Sequence, residues 1–269
     1  MHNLSYTTSR LPWLFFDLDD TIWNFTKNSE ASLTKIYEIS PILRKLFKQP
    51  QEFFDIYHHN NFILWDLYSR GEVSTKDLKN ERWRRTLATK QFEVLTAICE
   101  ELERNYLDIL AKSTIETEGV VTLLSGLQKK AMLAVISNGF SQTQYKKLHY
   151  SGLERFITRV IVSEEIGINK PNKAIFDYAV SETGALPPFI YVGDHPTTDI
   201  LGAMKAGWYA CWVNLKQSEF PLSEAEMLKE GINPDLFLGE SPSLSQTLPA
   251  IENFINHIWL PRQYQATSE

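Results

Sequence analysis

Asp17 and Asp19 close the run Trp13-Leu14-Phe15-Phe16-Asp17-Leu18-Asp19-Asp20-Thr21, where strand-like apolar residues stop at carboxylates and a threonine. Residues two apart on a strand share a face, so the spacing predicts that Asp17 and Asp19 project together from its end. Adjacent carboxylates repel unless a cation or a shared proton relieves them, which points to Mg²⁺ and a phosphate. Three further clusters follow along the chain. Ser137-Asn138-Gly139 offers a hydroxyl, an amide and a loosened backbone for phosphate oxygens. In Asn169-Lys170-Pro171, Pro171 suits a helix's first turn, with Lys170 at its mouth. Gly193-Asp194 comes last, with Asp199 a little further on. Each alone has an ordinary explanation: a solvated loop carboxylate, a turn, a helix start, a cap. Their joint occurrence in one order is much harder to explain that way.

The elements that must position these residues are legible as alternation. Short apolar runs at Trp13 to Asp17, Met132 to Ser137, Arg159 to Ser163, Phe189 to Gly193 and Tyr209 to Asn214 read as buried parallel strands. A weaker sixth run lies at Asp235 to Leu238. Helical stretches at Leu123 to Lys130, Gln142 to Leu148, Ala174 to Glu182 and Asp199 to Ala206 separate the later strands. The pattern predicts an α/β fold, a Rossmann-like parallel sheet covered on both faces. Open sheets of this kind bind ligands at the carboxyl ends of their strands, where all four clusters fall.

The region from Thr21 to about Val120 breaks the alternation. Leu33, Ile36, Tyr37 and Ser40 recur at helical spacing, as do Phe54, Tyr57, Asn61, Trp65 and Tyr68. Gly71 suits a helix stop, and Ser74-Thr75-Lys76-Asp77 resembles a capping box opening the next helix. The expected organisation is a discontinuous core, 1–23 and 106–245, a helical insert over 24–105, and a C-terminal helix and tail over 246–269.

Composition excludes several classes of function. Hydrophobic residues make up 43% and charged residues 22% of the 269 residues, as in ordinary globular proteins. A net charge of −6 speaks against an extended nucleic-acid surface. Cys99 and Cys211 stand far apart, in no metal-ligand or disulfide pattern, which fits a reducing cytoplasm. No apolar run approaches the roughly 20 residues of a membrane helix, and no signal-peptide layout precedes the first strand. A cytoplasmic protein with no membrane partner is the expectation.

The clusters Asp17-Leu18-Asp19-Asp20-Thr21, Ser137-Asn138, Lys170-Pro171 and Gly193-Asp194 with Asp199 resemble the four motifs of the haloacid dehalogenase superfamily. The insert is similar to a cap of the type placed between the first and second motifs. The resemblance implies that Asp17 attacks phosphorus to form an aspartyl-phosphate, while Asp19 protonates the leaving oxygen and then deprotonates water. It implies Mg²⁺ held by the Asp17 carboxylate, the Asp19 backbone carbonyl and Asp194. Ser137, the backbone near Asn138, and Lys170 would gather the phosphoryl oxygens. Asp199 would orient Lys170 or a metal-bound water, or else be simply the acidic residue of a helix's first turn. Dehalogenation needs no acid for a halide, and the dehalogenases lack the second carboxylate, so Asp19 favours phosphoryl transfer. Hydrolysis is favoured over transfer to a sugar.

Two stretches, Asp19 to Phe25 with Asn28-Ser29, and Asn61 to Val73, resemble the pyrimidine 5′-nucleotidase branch that accepts unusual nucleotides. Glu118 and His195-Pro196-Thr197-Thr198 depart from the common pattern, and His195 reads best as a solvated loop histidine. Asn61, Trp65 and Tyr68 share one helical face and could stack and read a base; alternatively the rings fill the insert's own core. The expected activity is a Mg²⁺-dependent nucleoside 5′-monophosphatase with pyrimidine preference, acting on a small phosphorylated metabolite and not on a nucleic-acid polymer. Its rivals are a phosphatase of sugar phosphates or phosphoglycolate, and a catalytically silent protein that binds a partner.

Overall fold

The computed structural model describes residues 11–266. The first ten residues of the expected core segment and the last three of the expected tail lie outside the described residues. Six parallel strands form one sheet: β1 (Trp13–Phe16), β2 (Met132–Ser137), β3 (Arg159–Val162), β4 (Ile190–Gly193), β5 (Tyr209–Val213) and β6 (Phe237–Ser241), in the order β3-β2-β1-β4-β5-β6. The order reverses between β1 and β4. That is the switch point at which such sheets open a crevice for ligands.

Alternation along the strands divides the core in two. Leu14, Phe16, Leu133, Val135, Ile190 and Val192 enter one apolar cluster. Phe15, Ala134, Ile136, Tyr191 and Ala210 enter the other. A strand buried on both faces must be apolar at successive positions, which is why these runs read as continuous rather than alternating.

The break in the alternation is helical. Helices α1 (Phe25–Ile39), α2 (Pro41–Leu46), α3 (Pro50–Ser69), α4 (Thr75–Ala88) and α5 (Thr96–Lys112) lie between β1 and β2, followed by α6 (Val120–Leu127). Helix α5 runs unbroken past residue 105. The Ser74–Asp77 capping box forms in both directions, and Gly71 turns the chain after α3 at φ +74°. The two strands of chain joining the insert to the sheet run side by side. Trp23 bridges Glu116, and the Asn28 amide donates to the Ile115 carbonyl and accepts from the Ile115 N–H.

Helices α7 (Ser141–Tyr150), α8 (Ser163–Ile166), α9 (Lys173–Thr183) and α10 (Gly202–Lys205) complete the crossovers. Helices α11 (Glu224–Lys229), α12 (Leu248–Asn253) and α13 (Leu260–Ala266) follow. The sixth strand begins two residues later than expected, because Asn233 caps Asp235 and Pro234 opens a 3₁₀ turn there. No helix among the described residues is long and apolar enough to cross a membrane.

Candidate active site

Strand β1 ends at Phe16, and the Asp17 N–H still donates to the Val192 carbonyl, so Asp17 stands at the seam with β4. The chain then turns: Ile22 and Trp23 both donate to the Leu18 carbonyl. Asp19 therefore sits in a turn and not on the strand face expected for it. The two carboxylates part. Asp17 faces Lys170, and Asp19 faces α7.

Lys170 is 2% exposed, and its ammonium donates to Asp17 Oδ1 at 2.5 Å, Asp199 Oδ1 at 2.7 Å and the Tyr191 hydroxyl at 2.7 Å. The Tyr191 hydroxyl donates its own hydrogen bond to the Ile136 carbonyl, leaving its oxygen to accept. The Lys170 backbone is clasped by Asn138, whose amide accepts from the Lys170 N–H and donates to its carbonyl. The Asn138 side chain thus positions the lysine. Pro171 does not open a helix: Asn172 caps α9, which starts at Lys173, and Lys170 sits in the loop before it.

Asp199 occupies the π-helical turn Pro196–Leu201 after β4, with its second oxygen accepting from the His195 N–H. Both Asp199 oxygens are thereby engaged. A Cβ on Gly193 would lie 2.5 Å from Asp199 Oδ2, so only glycine lets this carboxylate reach inward. His195 is the exposed loop residue expected, and its Nδ1 accepts from the Thr198 N–H to cap that turn.

Carboxylate oxygens of Asp17, Asp194 and Asp199 lie within 4.8 Å of one another. Burial pushes the Asp17 carboxyl up to about 7, with Lys170 pulling it down and Asp199 and Asp19 pushing it further up. Burial, then Asp199 and Asp17, raise Asp194 well above the usual carboxylate range. Burial alone would depress Lys170, but Asp17 and Asp199 outweigh it and hold the ammonium protonated. One ammonium among three carboxylates leaves an excess of negative charge that a divalent cation would relieve. Oxygen donors of this kind fit Mg²⁺, and Asp194, whose carboxylate accepts no hydrogen bond among the described residues, is free to ligate.

On the other side of β1, Asp19 Oδ1 accepts from Lys147 at 2.6 Å and Oδ2 from Gln144 at 2.8 Å. Gln144 also donates to Ser137 Oγ at 2.6 Å, as does the Gly139 N–H at 3.2 Å. With two donors on its oxygen, the Ser137 hydroxyl keeps its own proton for an incoming oxygen. Tyr191, Gln144 and Lys147 escaped the sequence reading. Tyr191 hides in an apolar strand, and Lys147 beside Lys146 reads as a solvated pair.

The three insert residues are engaged among themselves and with the core. Tyr68 is buried with Leu64, Leu78 and Phe140. Trp65 is half-buried and stacks on Phe140, with ring centroids 5.3 Å apart. Asn61 Oδ1 accepts from Arg82. Phe140, three residues after Ser137, carries this seam, and Lys79 of α4 sits 4.0 Å over its ring while pairing with Glu164.

A family model described as a haloacid dehalogenase-like hydrolase matches residues 12–207. The chain is 31% identical over 238 residues to the pyrimidine 5′-nucleotidase YjjG of Escherichia coli, covering 88% of this chain and 97% of that protein. It is 26% identical to the human N-acylneuraminate-9-phosphatase over 244 residues, 89% of this chain and 96% of that one. Among solved structures it is similar to the HAD-hydrolase YfnB of Bacillus subtilis, bound to magnesium and reported to reveal interdomain movement. The TM-score there is 0.74 at 27% identity, covering 90% of this chain and 99% of the other.

Proposed function

The chain belongs to the haloacid dehalogenase-like hydrolase family, and on that premise we propose that it is a Mg²⁺-dependent phosphomonoesterase working through an aspartyl-phosphate, with nucleoside 5′-monophosphates as substrates. The observation that carries the chemistry is the separate tethering of the two aspartates. Asp17 lies in the carboxylate cluster with Lys170, while Asp19 is held apart on α7. A nucleophile and a proton carrier must be distinct groups, and here they have distinct partners.

In this reading an Asp17 oxygen forms a bond to phosphorus as the ester P–O bond breaks. The leaving oxygen takes the bond's electron pair and the proton of the Asp19 carboxyl. A water then attacks phosphorus, gives its proton back to Asp19, and frees Asp17 and inorganic phosphate. Lys170 and the Ser137 hydroxyl hold phosphoryl oxygens, Asn138 fixes Lys170, and Asp199 orients it. Asp17, Asp194 and the Asp19 backbone carbonyl would hold the ion, which supplies charge neutralisation between phosphate and carboxylates.

Helices α1–α5 act as a cap. The stacked Trp65–Phe140 pair supports a leaving group that carries an aromatic base, because both a base and a ring present flat apolar faces. The relatedness to YjjG supports the nucleotide, and the relatedness to the N-acylneuraminate-9-phosphatase favours a sugar phosphate as the second reading. A phosphate-release screen of nucleoside 5′-monophosphates against sugar phosphates, with Mg²⁺, separates the two. Faster hydrolysis of pyrimidine nucleotides is expected; a clear preference for sugar phosphates would overturn the nucleotide assignment.

A further inference from the structure

Lys147 is 3% exposed on α7, yet its ammonium makes its one hydrogen bond among the described residues to Asp19. Its other sides face the rings of Trp23, 4.6 Å to the centroid, and Phe25, 5.2 Å. Trp23 lies in the turn that follows Asp19 itself, and Phe25 opens α1 just after it. Gln144, one helical turn earlier, is fully buried and spans from Asp19 Oδ2 to Ser137 Oγ. Its amide nitrogen donates to both of these oxygens. Room for this reach comes from Gly139, where a Cβ would lie 2.2 Å from the Gln144 amide nitrogen. Burying a lysine and a glutamine to hold one partly exposed carboxylate is costly unless its position matters.

We propose that Lys147 and Gln144 are positioning residues for Asp19: they hold its carboxylate against α7, out of the Asp17–Asp194 cluster and in register with Ser137, for proton exchange with the leaving oxygen. The inference rests on the reading of Asp19 as proton carrier. Left to itself, a carboxylate beside a cation site turns toward the ion, and the proton carrier is lost. Fixing both oxygens from one helix prevents this. The bridge through Gln144 ties that orientation to the hydroxyl that grips the phosphoryl group.

Leaving-group dependence tests the idea, because only poor leaving groups need a proton. With Mg²⁺ present, kcat/KM is measured for the wild type, K147M, K147R, Q144M and D19N on two substrates. One is 2,4-dinitrophenyl phosphate, and the other is the most rapidly hydrolysed alkyl phosphate of the substrate screen. D19N should lose roughly 10²- to 10⁴-fold on the alkyl phosphate and far less on the aryl one. K147M and Q144M should show the same selectivity at about 10- to 100-fold, a part of that general-acid contribution. K147R should recover most of the loss. Equal losses on both substrates, or none on the alkyl phosphate, would overturn the positioning role while leaving Asp19's intact if D19N is selective. An unselective D19N removes both. If K147M does not fold, the ratio is read from Q144M and K147R.

Discussion

Two clusters of buried charge, one at the ends of β1 and β4 and one between α4 and α5, differ in how their charges add up. In the first, Lys170 serves Asp17 and Asp199, with Asp194 close by. In the second, Arg82 meets Glu103 one to one, through Nε at 2.8 Å and Nη2 at 2.6 Å. Its remaining arm donates to Asn61, and Trp83 Nε1 adds a third hydrogen bond to Glu103 at 2.6 Å. The balanced pair has its donors spent internally and leaves nothing for a ligand. The other cluster is short of positive charge. Burial alone therefore does not mark a site; a buried cluster whose charges do not cancel does.

The sharpest way to break this contrast is Asp17→Asn. It should abolish phosphate release, by roughly 10⁴-fold or more as nucleophile removals do, while circular dichroism stays native. In metal-free protein above pH 7, where Asp17 is ionised, the same change should raise the melting temperature, since one of three crowded carboxylates becomes neutral. A variant still hydrolysing an aryl phosphate at wild-type rate would refute the nucleophile.

Arg82→Met should do the opposite. It strands Glu103 in the insert and should cost about 3–5 kcal/mol in urea unfolding. The double change Arg82→Met/Glu103→Leu should recover most of that, because both charges are gone and apolar volume replaces them. If the single change instead spared stability and eliminated activity, the balanced cluster would be functional after all.

What the residues reveal in advance follows the same division. Strands buried on both faces must be apolar in succession, so five of the six were legible from their runs alone. The polar residues at their ends stood out because they come just after apolar runs, and the structure brings Asp17, Lys170, Asp194 and Asp199 together there. Lys147, Gln144 and Tyr191 were not, since each lies inside an element whose pattern they fit: a helix flank for the first two, a strand for the third. Only the three-dimensional approach of α7 to the turn at Asp19 gives them meaning. The fate of Asn61 was hidden for the same reason. Its spacing with Trp65 and Tyr68 showed a shared face, but which neighbour that face meets is a tertiary fact.

Trp65 sharpens the comparison at the seam between insert and sheet. If its ring receives a base, Trp65→Ala should lower kcat/KM for a nucleoside monophosphate by about 1–3 kcal/mol of stacking. Turnover of 2,4-dinitrophenyl phosphate, which presents no base, should change far less. Parallel losses on both would assign Trp65 to packing on Phe140 alone.

The smallest signal is a slope in pH. Without metal, Asp17 has its carboxyl pushed from 3.8 up to about 7, chiefly by burial. Between those values the folded protein keeps a proton that the unfolded chain has released, so this group's contribution to stability falls as pH rises and levels off above 7. Mg²⁺ favours the deprotonated carboxylate, so the melting temperature gained on adding it should widen across the same window. Asp17→Asn cannot titrate, and its gain should vary less with pH; subtracting the two removes what other groups contribute. Should wild type and Asp17→Asn show the same pH dependence of that gain, the excess charge at β1 is not what the ion relieves. Arg82 and Glu103, already neutral as a pair, should leave this slope untouched.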